Sequence, residues 1–130
     1  MRNKQDADKR ERNGLVSHFL LGTEDVPETP IAATWVTVEP SARQVLHNHP
    51  NIQVYIIVEG GGLMHVGGET QQVSAGDLVY IPSNAGHGID NNTNDPLVYV
   101  SAATPAFDLP DAYNQGQLTP DSYQKSKKND

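Results

Sequence analysis

The 130-residue sequence lacks cysteine entirely and has no long hydrophobic run. The absence of cysteine excludes a disulfide scaffold, a thiol nucleophile, an iron–sulfur cluster and a cysteine-based zinc finger. The longest apolar run is residues 54–58, far shorter than the ~20 residues that a membrane-spanning helix needs. No basic start followed by an apolar stretch and a small-residue cleavage site is present. We therefore expect a soluble, cytoplasmic, single-domain protein.

Basic side chains are scarce in the body of the chain. Eight of the nine Lys and Arg residues lie in the two tails, so Arg43 stands alone in residues 14–120. The same stretch contains eleven acidic residues, and its net charge of −10 would repel a nucleic-acid backbone. The tails combine mixed charge with few apolar side chains, which predicts solvated ends. The expected organisation is a flexible basic N-terminal tail (1–13), a folded barrel (14–110), and a C-terminal extension with a flexible tail (111–130).

Short apolar or β-branched runs separated by turn residues predict an all-β fold. No segment of ten or more residues keeps a 3.6-residue period, so no long helix is expected. Runs that recur every ~10 residues between Gly, Asn and Pro turns favour a sandwich or a small barrel. The predicted strands are 15–21, 31–38, 52–58, 63–66, 78–81 and 97–100.

Two of the five histidines, His47 and His49, form a His-x-His pair. On a strand, side chains two residues apart point to the same face of the sheet. Gln53 and Tyr55 continue this odd-numbered series after a short irregularity at residues 50–51. The spacing therefore predicts that these side chains project into one enclosed space.

The wider spacing resembles the two motifs of the cupin superfamily, the small metal-binding jelly-roll barrels. The first motif reads Gly, five residues, His-x-His, three or four residues, Glu, six residues, Gly. Its positions are taken here by Ser41, His47, His49, Gln53 and Gly60. The second motif reads Gly, five residues, Pro-x-Gly, two residues, His, three residues, Asn, and it is met by Gly76, Pro82, Asn84, His87 and Asn91. The resemblance extends over roughly residues 15–108 and departs from the motifs at Ser41, Gln53 and Asn84.

The resemblance implies a double-stranded β-helix that holds one metal ion through His47, His49, Gln53 and His87. Three imidazoles and one oxygen donor suit Mn, Fe, Co, Ni, Cu or Zn, whereas Ca and Mg prefer several hard oxygens. Because Gln53 is neutral where the motif has Glu, the divalent ion would keep its full +2 charge. The expected ligand is therefore a small anion.

Further candidate site residues surround this expected metal. Tyr55 follows Gln53 by two residues, and a phenol beside a cation can act as an acid, a base or a hydrogen-bond donor. Tyr55 is therefore the candidate catalytic residue. By analogy with the family pattern and from position in the chain, the residues expected around the substrate pocket are Arg43, Met64, Val66, Ser101 and Phe107.

The resemblance leaves the reaction open, because cupin barrels carry dioxygenases, isomerases, lyases and binding proteins. We expect an enzyme that uses its metal on a small oxygenated organic acid or enol, as dioxygenase-type cupins do. The alternatives are a metal-dependent isomerase or lyase, similar to cupins of uronate ring opening, and a non-catalytic small-molecule or metal-binding protein. Apolar residues of both parities, such as Leu63 and Met64, predict a second buried face and a homodimer. Neither a nucleic acid nor a membrane is an expected partner.

Overall fold

The computed structural model describes residues 1–106 and 123–125, which form eleven β-strands and one 3₁₀ turn at Lys4–Asp6. The predicted all-β fold is confirmed. No helix in the described residues is long and apolar enough to cross a membrane. The strands are β1 (Asp8–Arg12), β2 (Leu15–Leu21), β3 (Ala32–Val38), β4 (Ala42–His47), β5 (Ile52–Glu59), β6 (Gly61–Val66), β7 (Glu69–Ser74), β8 (Leu78–Ile81), β9 (His87–Asp90), β10 (Leu97–Thr104) and β11 (Tyr123–Lys125).

The strands form two antiparallel sheets that pack as a jelly roll. The first sheet has the order β1-β2-β3-β10-β5-β8, and the second has the order β11-β4-β9-β6-β7. The chain therefore crosses between the sheets repeatedly, and both inner faces contribute to one core. Its most completely buried aliphatic and aromatic side chains include Leu15, Val38, Tyr55, Ile57, Ile81, Ile89, Leu97 and Tyr99. This core supports the expected double-stranded β-helix.

All six predicted strands are present, and five strands are additional to them, namely β1, β4, β7, β9 and β11. The observed β2 and β8 have the predicted bounds, β3, β5 and β6 differ by one or two residues, and β10 is four residues longer. The strands β4, β7 and β9 escape prediction because their sequences are largely polar. In β7, for example, only Val73 is buried, so no alternation of apolar and polar residues marks the strand.

The N-terminal tail differs from its prediction. Residues 8–12 form β1, which pairs with β2 in continuous register, so the expectation of a flexible tail over 1–13 is corrected. Main-chain hydrogen bonds to the edge of β2 need no apolar side chains, which is why composition did not reveal the strand. An ion pair of 2.8 Å between Arg2 and Asp25 also ties the segment down. Of the C-terminal extension 111–130, the structure describes only 123–125, which pair with β4.

The motif positions at which glycine is expected share one backbone conformation. Ser41 has a φ of 70° and Asn84 a φ of 64°, close to the 76° of Gly60 and the 98° of Gly76. Left-handed φ favours glycine, and asparagine tolerates it better than most other residues. The two departures from the motif at turn positions therefore leave the turns themselves intact.

Candidate metal centre

Three histidines from two paired strands and a loop come together inside the barrel. His47 ends β4, His87 begins β9, and the two are register partners. The ring centroids are 4.3 Å apart for His47 and His87, 4.9 Å for His49 and His87, and 5.9 Å for His47 and His49. Their possible ligand atoms all lie within 4.8 Å of one another. The prediction that His47 and His49 share a strand is wrong, since β4 ends at His47 and the following loop places His49.

Main-chain carbonyl groups determine which nitrogen of each imidazole carries hydrogen. Each Nδ1 atom lies 3.0 to 3.2 Å from a carbonyl oxygen, which belongs in turn to Val45, Asn51 and Ala85. A carbonyl oxygen only accepts, so each Nδ1–H must be the donor. The Nε2 atoms of all three neutral rings therefore keep their lone pairs, which is the form that binds a metal.

Burial keeps the three imidazoles neutral. It lowers the pKa of His47, His49 and His87 below the usual 6.5, and it lowers the pKa of His87 to about 3. After burial, repulsion from positive charge on His47 is the next largest cause of this low pKa of His87. The Nε2 atom of His87 is buried and has no hydrogen-bond partner among the described residues. Such an orphaned acceptor costs about 1–3 kcal/mol, and a metal ion would satisfy it.

Gln53 on β5 provides the fourth candidate ligand. Its Nε2 group donates to the Oγ atom of Ser101, which leaves Oε1 directed at Nε2 of His49 at 3.0 Å. Neither of these facing atoms carries a hydrogen, so the pair is two acceptors rather than a hydrogen bond. A metal ion held by both atoms would satisfy their two facing lone pairs. The donors therefore fit a shared divalent transition metal, and all four of them are neutral.

A small cavity of about 40 Å³ adjoins the histidines. No Asp, Glu, Lys or Arg is among the described residues that line it. Five of the lining residues belong to the predicted site, namely His47, His49, Gln53, Tyr55 and Ser101. The others are Ser17, Phe19, Ala32, Thr34, Val36, Gln44, Tyr99 and Ala103.

Tyr55 lies beside the histidines with its hydroxyl group engaged. Its ring stacks on Tyr99 with centroids 4.1 Å apart, and its OH donates to Oε1 of Gln44 at 2.9 Å. Burial raises the pKa of Tyr55 to about 12, so the phenol stays protonated near neutral pH. Sequence reasoning missed Gln44. The signal for it is the alternation of buried residues in β4, which becomes visible only once that strand is known.

Three residues of the expected pocket line other cavities. Met64 and Val66 line a separate cavity of about 280 Å³ beside β7 and β8. Arg43 has the opposite strand parity from buried Gln44 and lines an outer pocket with His65 and Asp90. The expectation that these three line the metal-site pocket is therefore corrected. Phe107 lies outside the described residues.

Parts of this chain are similar in sequence to known proteins. Oxalate decarboxylase OxdC of Bacillus subtilis is 37% identical over 76 residues, which cover 54% of this chain and 20% of that protein. The oxalate-binding protein of Thermotoga maritima is 30% identical over 63 residues, which cover 48% of this chain and 52% of that protein. The chain thus spans about half or less of the length of these curated relatives.

Solved structures and the family profile agree on the fold. The crystal structure of a predicted oxalate decarboxylase from Thermotoga maritima matches with a TM-score of 0.72 at 20% identity. The match covers 79% of this chain and 96% of that one. The profile of the cupin domain matches residues 34–103, which is more than half of the chain. The chain therefore belongs to the cupin domain family.

Proposed function

We propose that this protein is a metal-dependent cupin that binds a small dicarboxylate of the oxalate class. His47, His49, Gln53 and His87 would hold the metal. The observation that carries the proposal is the neutrality of these donors combined with a cavity lining that has no charged side chain among the described residues. When bound, the divalent ion would supply the positive charge that attracts a carboxylate.

The size of the cavity favours a very small ligand. About 10–15 Å³ is needed for each water-sized group, so the 40 Å³ cavity accommodates about three to four of them. Oxalate has six non-hydrogen atoms, so some of them would lie outside the cavity, in contact with the metal. A uronate ring is too large for this space. Two relatives carry oxalate in their names, a decarboxylase and a binding protein, and they support this substrate class.

Acid–base chemistry receives little support from the described lining residues. Apart from the candidate metal ligands, its titratable members are Tyr55 and Tyr99. The Tyr55 phenol donates to Gln44 and has a pKa raised to about 12, which suits a positioning hydrogen bond better than proton abstraction. An isomerase or lyase must move a proton, so both are less well supported than ligand binding.

An oxygen-dependent reaction is the second candidate function. The metal would supply its redox chemistry, and the protein would need to provide only a small, largely apolar chamber. Phe19, Val36 and Ala103 form such a wall beside the histidines. This apolar wall supports the expected dioxygenase-type activity, which is the alternative to ligand binding without turnover.

The test is calorimetric titration of oxalate into metal-loaded and chelator-treated protein, with metal content measured on the same samples. We expect oxalate to bind only the loaded form, and 2-oxoglutarate to bind more weakly because of its length. Equal binding of oxalate to metal-free protein would contradict the proposal. An oxygen electrode and analysis of the products then separate the two candidates, since consumption of oxygen with loss of oxalate indicates turnover.

A further inference from the structure

The N-terminal strand β1 brings a cation to the cavity of about 40 Å³ beside the histidines, which we call the metal-site cavity. Arg10 is the half-buried residue of β1, whereas the other four residues of the strand are exposed. Its register partner on β2 is Ser17, and Ser17 lines the metal-site cavity. Register partners place their side chains on the same face of a sheet. The Arg10 side chain therefore lies on the inner face of the first sheet, next to the wall of the cavity.

Phe19 connects Arg10 to the metal-site cavity. The guanidinium carbon of Arg10 lies 5.6 Å from the centroid of the Phe19 ring, which is the geometry of a cation–π contact. Phe19 is buried, and it lines the cavity together with Ser17. Arg10 thus reaches the cavity wall through one buried ring. An apolar ring screens a charge less than water does, so the positive charge of Arg10 acts on the cavity more strongly than a solvated one would.

No ion pair with another described residue cancels the charge of Arg10. Its Nη1 group donates to the main-chain carbonyl of Lys9 at 3.2 Å, and this hydrogen bond leaves the net charge unchanged. Asp8 and Arg12 share the inward parity of Arg10 on β1, but both are exposed and their charges have opposite signs. The net charge that β1 directs towards the cavity is therefore positive.

An anionic ligand needs such a cation near this cavity. The described residues that line the cavity include no Lys or Arg, and the four candidate metal donors are neutral. Residues 14–120 carry a net charge of −10, which opposes the approach of a dianion. Arg43, the cation expected at the pocket, instead lines the outer pocket with His65 and Asp90. Arg10 supplies at the cavity the positive charge that Arg43 does not.

We infer that Arg10 is a positioning residue for the anionic ligand of the metal-site cavity. Its charge attracts a dicarboxylate towards the metal centre, and it favours a dianion over a monoanion because the attraction grows with the charge of the ligand. The inference rests on the proposed function, since it concerns the same oxalate-class ligand. The family profile begins at residue 34, so β1 adds this property from outside the matched cupin domain.

Calorimetric titration of the metal-loaded full chain with oxalate and with formate tests this inference. Arg10→Met keeps an unbranched side chain against Phe19 and removes the charge. It should weaken oxalate binding about 3- to 5-fold and formate binding by less, because formate carries half the charge of oxalate. Arg10→Lys keeps the charge and should bind oxalate more tightly than Arg10→Met does. The matched control is Lys9→Met, which removes a charge from the opposite face of β1 and should leave both affinities unchanged.

Salt separates an electrostatic role of Arg10 from a structural one. Raising the salt concentration from about 0.05 to about 0.5 M screens the charge, so the affinity ratio between wild type and Arg10→Met should shrink to less than about twofold. A role in packing alone would leave this ratio unchanged.

Metal content and circular dichroism verify that each variant is loaded and folded, and Arg10→Gln is a second uncharged variant that should behave like Arg10→Met. Equal oxalate affinity in wild type and both uncharged variants, or a ratio that salt does not change, would overturn the inference and leave the proposed function intact. If metal-loaded wild type binds no oxalate, the proposed function fails and this inference fails with it.

Discussion

At the scale of single residues, the centre depends on where hydrogens are held. Each imidazole commits its Nδ1–H to a main-chain carbonyl, and Gln53 commits its amide N–H to Ser101. What remains directed inward is a set of lone pairs. Such a set is costly to bury without a cation. The hydrogen bonds that direct the lone pairs inward therefore favour binding of a metal ion.

We expect His87→Ala to remove the metal and leave a folded barrel. The replaced ring supplies one of the four neutral donors, whereas the apolar core of both sheets supplies most of the stability. Metal content should fall from one ion per chain to nearly none, with an unchanged β-type circular dichroism spectrum. His65→Ala is the matched control, since His65 pairs with Asp90 away from the centre. Full metal content in the His87→Ala variant would show that the ligands are wrongly identified.

Gln53→Glu tests whether the neutrality of the donor set governs anion binding. A carboxylate is the stronger donor, so metal affinity should be at least that of wild type. The same change cancels one positive charge, and binding of oxalate should weaken by about 1–3 kcal/mol, or roughly 5- to 150-fold.

Gln53→Ala is the comparison variant. It should lower metal affinity and leave the charge of any bound ion unchanged. Calorimetric titration of oxalate into the loaded proteins measures both effects. Unchanged oxalate affinity in Gln53→Glu would contradict the electrostatic argument.

At the scale of elements, the approach of β4 and β9 builds the centre. A Cβ atom at Gly88 would clash with the carbonyl oxygen of Gln44 and crowd the main chain of Val45. The missing side chain at this position therefore lets β9 lie against β4, with His87 opposite His47.

Gly88→Ala should force these strands apart, lower the free energy of unfolding by about 2 kcal/mol or more, and weaken metal binding. Gly86→Ala is the matched control on the other side of His87, because a Cβ atom there meets nothing within 4 Å. It should be neutral or stabilising by up to about 1 kcal/mol. Urea unfolding of both variants provides the comparison, and equal stabilities would refute the close-approach argument.

At the scale of the whole molecule, the buried histidines make stability depend on pH. Their pKa values are lowered by folding, so below pH 6.5 the unfolded chain binds protons that the folded chain excludes. The free energy of unfolding of metal-free protein should therefore fall as the pH drops from 6.5 towards the His87 pKa of about 3. Each titrating histidine adds a slope of at most about 1.4 kcal/mol per pH unit.

Denaturant unfolding of chelator-treated protein between pH 7.5 and about 4 measures this slope. His87→Gln is neutral throughout this range and should give a shallower dependence than wild type. Equal slopes in the two proteins would contradict the prediction. In metal-loaded protein the same protons compete with the ion, so acidification should also release the metal.

The sequence by itself determined the strands with apolar alternation and the chemistry of the centre. Alternation is a local property with a period of two, which is why Gln53 and Tyr55 were placed on one inner face correctly. The resemblance to the two cupin motifs implied that His47, His49 and His87 act together, and they lie within reach of one ion. Residue type alone indicated that the donors are neutral.

Tertiary structure alone decided which of the remaining residues share a cavity. Gln44 reaches Tyr55 because β4 and β5 belong to different sheets that face each other, and no pattern within either strand encodes that meeting. Met64 faces the interior as expected, yet it belongs to another cavity. The strand β1 exists because β2 offers an open edge of main-chain hydrogen bonds. Strand pairing and sheet packing join segments that are distant in sequence. The alternation of side chains between the two faces of a strand lies within one segment, and for this reason it alone can be predicted from the sequence.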